Sequence, residues 1–347
     1  MGDVKRFLEK SLETTGTRFF LGHDFRATLL SAVSPLPETN DKGLAVFSTV
    51  ANEMFFLPAW LEHHRGLGVE HFYILVDRSE DGTIDFLTAQ SDVTTMTSEY
   101  GFGSSVNISP LSKLGHKRFT RAGSLYKRII TDFLFEGQWA LYLDADEFLM
   151  IPPGFENIQE LIDSVDGKTS SIPASNVIFY PERFSNISQQ RPAVFEDLVK
   201  QAPYFDSLPL LQSRRGKWPT RVGPEKTAKL IYQFLREKSG GTLKTPLMKH
   251  GKTNYRMGSH VTSEPPGTEH ILALAHFVFS ANTVSKIERA KSWNSYYNQS
   301  ASYKRLDRLI EVLNRHDHSL LDETSTQYRS NSQLVSAGLI NWPYVGT

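Results

Sequence analysis

The chain has 347 residues, enough for one large α/β domain with appendages or for two domains of average size. Basic and acidic residues balance at 38 each, so no overall charge favours nucleic acid or an anionic membrane as a partner. Cysteine is absent, which excludes disulfides and thiolate metal sites. No stretch approaches the ~20 apolar residues of a membrane span. Because the N-terminus has no apolar signal core either, we expect a cytoplasmic protein.

The first part of the chain alternates strand-like and helix-like segments. Residues 1–42 are expected to form an extension that ends in a proline-containing linker. The apolar run LAVFSTV at 44–50 predicts a strand, followed by Asn52, Glu53 and an amphipathic helix. A second strand is expected at 71–77, where it leads into the turn-rich loop RSEDGT.

The segment WALYLDADEFL at 139–149 carries the strongest signal. An apolar run rich in β-formers ends abruptly in Asp144, Asp146 and Glu147, which predicts a buried strand with acids at its carboxyl end. Ligands collect at such strand ends in open α/β sheets. Carboxylates two residues apart can share Mg²⁺ or Mn²⁺, which leave positions open for phosphate oxygens. The pattern favours a site for a metal-bridged nucleotide diphosphate over the alternative, an acidic turn that caps the next helix.

Strands that alternate with helices predict a mostly parallel, doubly wound sheet flanked by helices. A long helix is expected over about 117–136, just before the acidic segment. We place the main domain at 43–281, with mixed β structure after the acidic segment, and a C-terminal helical segment with its tail at 282–347. Helices are expected near 282–298 and 302–315, and the polar tail is expected to be poorly ordered.

Three further residues have two interpretations each. Asp77 could accept a hydrogen bond from a base or ribose, or form an Asx-turn. Arg121 lies in a stretch, 113–128, that holds basic residues and no acid. That stretch could face a diphosphate or could be a solvated helix face. His276 lies in the apolar run ILALAHFVF, where a lone histidine is usually a satisfied core residue.

Two blocks of this sequence carry a family resemblance when they are taken in order. They are NEMFFLPAWLEHHRGLGVEHFYILVDRSEDGT and QWALYLDADEFL. The first has an Asn-Glu pair, a Leu-Pro-x-Trp-Leu-x-His-His helix and an acidic Ser-x-Asp-Gly-Thr loop, and the second has a Trp-x-x-x-x-Asp-x-Asp-Glu-Phe pattern. Together they resemble glycosyltransferase family 2-like proteins related to family 92. AHFVFSANTVSKIERA is a looser third match, to a His-aromatic-x-x-x-Ser segment and a Lys-bearing helix. The resemblance covers 44–150, and 245–291 loosely.

The resemblance implies a GT-A type fold, a metal ion as cofactor, and inverting transfer from a nucleotide-diphosphate sugar. It implies that Asp144 is shared between ribose and metal, that Asp146 is the main ligand of Mn²⁺ or Mg²⁺, and that His276 completes the metal shell. The side chains expected to bind the donor are Asn52, Glu53, Asp77, Arg121 and Asp144. Arg78 departs from the family, which usually has a small polar residue there.

Such a transfer must stabilise a departing diphosphate and needs a general base for the acceptor hydroxyl. The candidate base is Glu182 in VIFYPERF, with a surface acid in a proline-containing turn as its alternative. We expect a carbohydrate or glycolipid acceptor, peripheral membrane contact, and a setting in cytoplasmic assembly of a bacterial surface polysaccharide or glycolipid. The alternatives are a non-catalytic nucleotide-sugar-binding module and a sugar nucleotidyltransferase. STVANEMFF lacks the glycine-rich phosphate loop that a nucleotidyltransferase would need.

Overall fold

A nine-stranded sheet forms the centre of the part of the chain that the computed structural model describes. That part comprises residues 30–107, 119–207, 211–215, 218–222, 226–237, 243–256, 262–293 and 297–343. The strands in chain order are β1 (Val33–Ser34), β2 (Ala45–Val50), β3 (His71–Val76), β4 (Val93–Ser98), β5 (Ser105–Asn107), β6 (Phe119–Arg121), β7 (Trp139–Tyr142), β8 (Glu147–Met150), β9 (Ser171–Ile178), β10 (Tyr204–Asp206), β11 (Leu211–Arg215), β12 (Trp218–Val222), β13 (Lys244–Lys249), β14 (Leu272–His276) and β15 (Ser325–Gln327). The helices are α1 (Leu57–Gly66), α2 (Thr83–Thr88), α3 (Ala122–Leu134), α4 (Ile158–Ser164), α5 (Phe195–Gln201), α6 (Lys226–Leu230), α7 (Asn282–Trp293), α8 (Tyr297–His316) and α9 (Asn331–Ser336).

The strand order contains a topological switch point. Strands β4, β3, β2 and β7 are neighbours in that order and are parallel to one another. The chain passes from β2 to β3 to β4 across the sheet and then returns to place β7 on the other side of β2. Open α/β sheets bind ligands outside the carboxyl ends of strands where the order reverses in this way. The switch point here lies between β2 and β7.

The rest of the sheet is mixed. Beyond β7 the order is β13, β9, β14 and β8, and these pairings are antiparallel except for that of β9 with β14. The predicted α/β fold with a central sheet and flanking helices is confirmed, as is the mixed β structure after residue 150. None of the helices in the described part of the chain combines the length and hydropathy needed to cross a membrane.

Helices pack on both faces of the sheet. Helix α1 carries Trp60 into an apolar core that includes Val46 and Ile74. On the other face, α3 carries Tyr126 into a second core that includes Phe47. Val46 and Phe47 are neighbours on β2 and point to opposite cores, as the two-residue period of a strand requires. Because both faces are covered, the strand ends at the switch point are the exposed part of this region.

Two segments differ from the sequence expectations. The helix expected from residue 117 begins at Ala122, since β6 precedes it. The last thirty residues are expected to be poorly ordered, but the described part of this tail, up to residue 343, packs against the sheet. Strand β15 pairs with β10, and the backbone of Asn341 bridges that of Ile271. Apolar side chains are spaced through this polar segment, among them Trp342, which is 3% exposed. Their burial holds the tail in place.

Adjacent histidines join α1 to β8. Nε2 of His63 lies 2.8 Å from the carbonyl oxygen of Leu149. Nδ1 of His64 lies 2.8 Å from the carbonyl oxygen of Trp60, and its Nε2 accepts a hydrogen bond from the backbone N–H of Leu149 at 3.4 Å. Since one nitrogen of His64 donates and the other accepts, the ring is neutral. Burial lowers the pKa of His63 to about 4 and holds the pKa of His64 well below its ordinary value.

We expect acid to destabilise the fold through His63. Burial lowers its pKa from 6.5 to about 4, so between these values the unfolded chain binds a proton that the folded chain does not. The contribution is full above pH 6.5 and is lost as the pH falls toward 4. His63 alone should account for a loss of about 2 kcal/mol of unfolding free energy between roughly pH 7 and 5, measured by urea unfolding as the difference between the wild type and His63→Gln.

Two variants make the same substitution, histidine to glutamine, one at a buried position and one at an exposed position. His63→Gln should lose less stability than the wild type over the same pH interval, because its side chain does not titrate. His316→Gln, at the exposed end of α8, should lose as much as the wild type. Equal losses in the wild type and His63→Gln would contradict the role of His63.

Candidate functional site

The loops that follow β2 and β7 meet at the switch point and border a cavity of about 360 Å³. Glu53 comes from the first loop, and Asp144 and Asp146 come from the second. His276, at the end of β14, and Lys286, on α7, also line the cavity. The structure therefore brings together five of the residues selected from the sequence, Glu53, Arg121, Asp144, Asp146 and His276, and places Lys286 beside them.

Asp144 has three polar partners. The hydroxyl of Tyr142 donates a hydrogen bond to its Oδ1 at 2.8 Å, and Nζ of Lys244 donates to its Oδ2 at 2.9 Å. Nζ of Lys127 lies 3.7 Å from Oδ1. Burial by itself raises the pKa of Asp144, but the charges of Lys244 and Lys127 outweigh it and hold that pKa well below its ordinary value. Asp144 is therefore ionised at neutral pH.

Glu147 is a buried acid that holds the loop after β7, the loop that carries Asp144 and Asp146. It is 1% exposed and forms an ion pair with Lys244, which is 6% exposed. Its Oε2 accepts a hydrogen bond from the backbone N–H of Asp144 at 3.2 Å. Its own backbone N–H donates to the carbonyl oxygen of Asp144 at 3.1 Å. Burial raises the pKa of Glu147, and the charge of Lys244 opposes that rise. These contacts fix the turn that presents Asp144 and Asp146.

Lys286 links the two loops. Its Nζ lies 2.8 Å from Oδ2 of Asp146 and 2.9 Å from Oε1 of Glu53. Nε2 of His276 lies 3.4 Å from the same Asp146 oxygen. Burial raises the pKa of Asp146, but the charges of Lys286 and His276 hold it well below its ordinary value. Burial lowers the pKa of His276, and the charge of Asp146 more than reverses this.

Glu53 and Asn52 have different positions in the loop after β2. Burial raises the pKa of Glu53 to about 7 against the opposing charge of Lys286, and Nδ2 of Asn282 donates to its Oε2 at 3.0 Å. Asn52 has a φ of 52°, and its Oδ1 accepts a hydrogen bond from the backbone N–H of Glu80 at 2.6 Å. Asn52 therefore shapes the loop, while Glu53 lines the cavity.

Basic side chains and a helix N-terminus form another part of the wall. Arg121, Lys127 and Arg289 line the cavity, as does the first turn of α3 through Gly123. A Cβ at Gly123 would lie only 2.9 Å from the Cβ of Phe102, so glycine allows this close approach. The first turn of a helix carries the positive end of its dipole and attracts anions. The wall thus combines carboxylates with groups that attract a phosphate.

Two of the predicted metal ligands lie close to each other. Oδ2 of Asp146 and Nε2 of His276 are 3.4 Å apart, near the separation of neighbouring ligands at ~2.1 Å from one cation. The third, Asp144, has its oxygens engaged by Tyr142 and Lys244. Across the described residues, no three His, Asp or Glu side chains form a group that could hold a metal ion. Nζ of Lys286 lies 2.8 Å from the same Oδ2 of Asp146. A cation held by Asp146 and His276 would therefore have to displace that ammonium group or use the other carboxylate oxygen, with its remaining positions left to ligand oxygens and water.

Three predicted residues lie outside the cavity wall, namely Asn52, Asp77 and Glu182. Asp77 is buried, and it accepts hydrogen bonds from Nε of Arg78 at 2.9 Å and from the backbone N–H of Phe102 at 2.8 Å. Asp77 therefore affects the cavity only indirectly, because it holds the backbone of Phe102, and Phe102 lines the cavity. Glu182 follows β9 with its side chain half exposed, and its carbonyl oxygen accepts a hydrogen bond from the backbone N–H of Leu320 at 2.7 Å.

The sequence reasoning missed Lys244 as a partner of the acids. Lys244 could have been identified from its position at the start of the apolar run KTPLM. Such a run predicts a buried strand, and a lysine that is fully buried is nearly always paired with an acid. Lys286 belongs to the Lys-bearing helix of the third sequence block, but its position between Asp146 and Glu53 follows only from the fold.

Comparisons with known proteins add little to this geometry. No protein-family model matches the chain, and no curated protein matches it. Among solved structures, it is similar to a Bacillus anthracis protein assigned as a glucose-1-phosphate thymidylyltransferase, in complex with sucrose. The TM-score is 0.27 at 7% identity, over 85% of this chain and 93% of that chain. This level of similarity assigns no role to any residue of the site.

We expect loss of the Lys244 charge to destabilise the protein. Lys244→Met leaves Asp144 and Glu147 without their shared ammonium group, which should cost about 3 kcal/mol of unfolding free energy in urea titrations at neutral pH. Lys249→Met, at the exposed end of the same strand, should cost less than about 0.5 kcal/mol. Similar stabilities for the two variants would show that these ion pairs contribute little.

Proposed function

We propose that this protein is a glycosyltransferase that moves a sugar from a nucleotide-diphosphate sugar to a hydroxyl of a carbohydrate or glycolipid, with inversion. The proposal depends on one observation. A cavity at the switch point has carboxylates, a histidine and several partly buried lysine and arginine side chains in the same wall. The family resemblance of the sequence supports the same activity and a GT-A type fold, and the parallel strands β4, β3, β2 and β7 agree with that fold.

The basic part of the wall suits the departing diphosphate. Negative charge develops on the leaving group during transfer, and preorganised cations lower the barrier most where that charge develops. Arg121, Lys127 and Arg289 line the cavity together with the first turn of α3. Lys127 and Lys286 are less than a fifth exposed, so their charges act through a poorly screened environment.

A divalent cation that binds with the donor is part of the proposal. Asp146 and His276 would hold Mn²⁺ or Mg²⁺, with donor oxygens and water as further ligands. Such a cation supplies Lewis-acid neutralisation of the diphosphate. For Asp144 to become a third ligand, it would have to exchange one of its hydrogen bonds with Tyr142 or Lys244. The general base stays a prediction at Glu182, which lies outside the described cavity wall.

Donor binding can be tested by thermal shift with nucleoside diphosphates and nucleotide-sugars, each with and without Mn²⁺. We expect one nucleotide to raise the Tm of the wild type when Mn²⁺ is present, since a ligand at 100 times its Kd adds about 2.7 kcal/mol of stability. Asp146→Ala should lose the Mn²⁺-dependent part of the shift. Asp163→Ala, exposed on α4, should retain it. No shift with any nucleotide in well-folded protein would contradict the proposal.

Turnover tests the role of Lys286 and separates the candidate activities. With the stabilising nucleotide-sugar and an acceptor, the wild type should release nucleoside diphosphate. A nucleotidyltransferase would instead need pyrophosphate and would release nucleoside triphosphate, and a binding module would release neither.

Lys286→Met should lower kcat by roughly 10²-fold. Lys291→Met, exposed on the same helix, should leave kcat unchanged. An unchanged kcat in Lys286→Met would contradict a role of this lysine in stabilising the departing diphosphate.

A further inference from the structure

A second cavity, of about 230 Å³, adjoins the first. The two cavities share Asp146, His276, Lys286 and Tyr303 as lining residues. The second is bordered by α6 and the turn after it, by the segment after β14, and by α7 and α8. A molecule in this cavity would therefore lie next to one that occupies the first, across a common border.

Apolar atoms make up most of the surface of the second cavity, although Thr227, Ser280, Thr283 and Ser302 contribute hydroxyl groups to its wall. Ile231, Phe277 and Leu306 are among its lining side chains. Beyond the shared border, Arg305 is the one charged residue among the described lining residues, and it lies 3.8 Å from Glu237 as an ion pair. Such a wall does not suit a second diphosphate. It suits an apolar group that carries few polar atoms, as ligand pockets usually do.

The backbone beside this cavity is also unusual. Helix α6 continues into a π-helical turn at Ile231–Leu235, which ends at Arg236 with a φ of 58°. Turns of this kind are rare and occur often at functional sites. Tyr232, in that turn, is 56% exposed, and Val284, next to the lining residue Thr283, is 46% exposed. Two residues that follow lining residues in the sequence therefore expose apolar side chains to solvent.

We propose that the second cavity is the acceptor subsite and that the acceptor is an amphiphile, with a hydroxyl-bearing head joined to an alkyl or aryl group. This inference rests on the proposed function, because the donor in the first cavity defines the acceptor. The head lies at the border near Asp146, Lys286 and Tyr303, and the apolar group packs against Ile231 and Leu306. In the transfer, the acceptor oxygen bonds to the sugar carbon, the diphosphate leaves with its electron pair, and the hydroxyl proton is released to solvent.

Alkyl glucosides of increasing chain length test the subsite. Methyl, hexyl and octyl β-glucoside, each below its critical micelle concentration, would be titrated into the full chain and Kd measured by saturation-transfer NMR. We expect the Kd of the wild type to fall with chain length, by up to about fourfold for each methylene that enters the cavity. Methyl glucoside should bind weakest because it carries the head alone.

A matched pair of variants locates the effect. Ser302 lines the cavity and is exposed on α8, so Ser302→Trp should place an indole in the cavity and remove the dependence on chain length. Lys304 is exposed on the same helix outside the cavity lining, and Lys304→Trp should keep that dependence. Equal Kd values for the three glucosides in the wild type would overturn the inference. An unchanged dependence in Ser302→Trp would also overturn it.

The same samples report separately on the first cavity. Stabilisation by a nucleoside diphosphate with Mn²⁺, together with equal Kd values for the glucosides, would leave the proposed function standing and remove the amphiphilic acceptor alone. Absence of nucleotide stabilisation would overturn the proposed function, and the assignment of the acceptor with it.

Discussion

Four carboxylates lie together at the switch point, and each of two lysines contacts two of them. Lys244 contacts Asp144 and Glu147, while Lys286 contacts Asp146 and Glu53. Removing one partner of a buried ion pair costs several kcal/mol, because the remaining charge has no solvent to stabilise it. The loops after β2 and β7 can therefore hold their positions only when β13 and α7 are docked. The arrangement of the sheet and the arrangement of the cavity depend on the same contacts.

The two lysines have different positions relative to the cavity. Lys244 pairs with acids from the side of the core, and it is absent from the described cavity lining. Lys286 lines both cavities. The first therefore acts as a structural counter-ion that fixes the acidic turn. The second can interact with a ligand while it holds Asp146 beside His276, which gives preorganisation without a change of geometry during reaction.

The sequence was sufficient for the central strands and for the position of the acids. Apolar runs that end in polar residues identified β2, β3 and β7, because burial on both faces leaves a continuous apolar pattern. The same pattern placed Glu53, Asp144 and Asp146 at one edge of the sheet. It could not pair Lys244 with Asp144, because residues 100 positions apart meet only through the order of strands in the sheet. The sequence also failed to predict that the C-terminal tail is ordered, for a related reason. Its few apolar residues indicate burial only when the surface that receives them is known.

Lys286 also constrains how the chain is made. It follows Asp146 by 140 residues along the sequence, and α7 comes after all the strands of the nine-stranded sheet in chain order. At the usual 5–20 residues per second, the acidic turn leaves the ribosome roughly 7–28 s before its lysine does. During that interval Asp146 and Glu53 have no ammonium group from α7, and like charges repel one another across the end of the sheet. The N-terminal strands can form early, but the end of the sheet that carries the cavity becomes compact only after α7 has been synthesised.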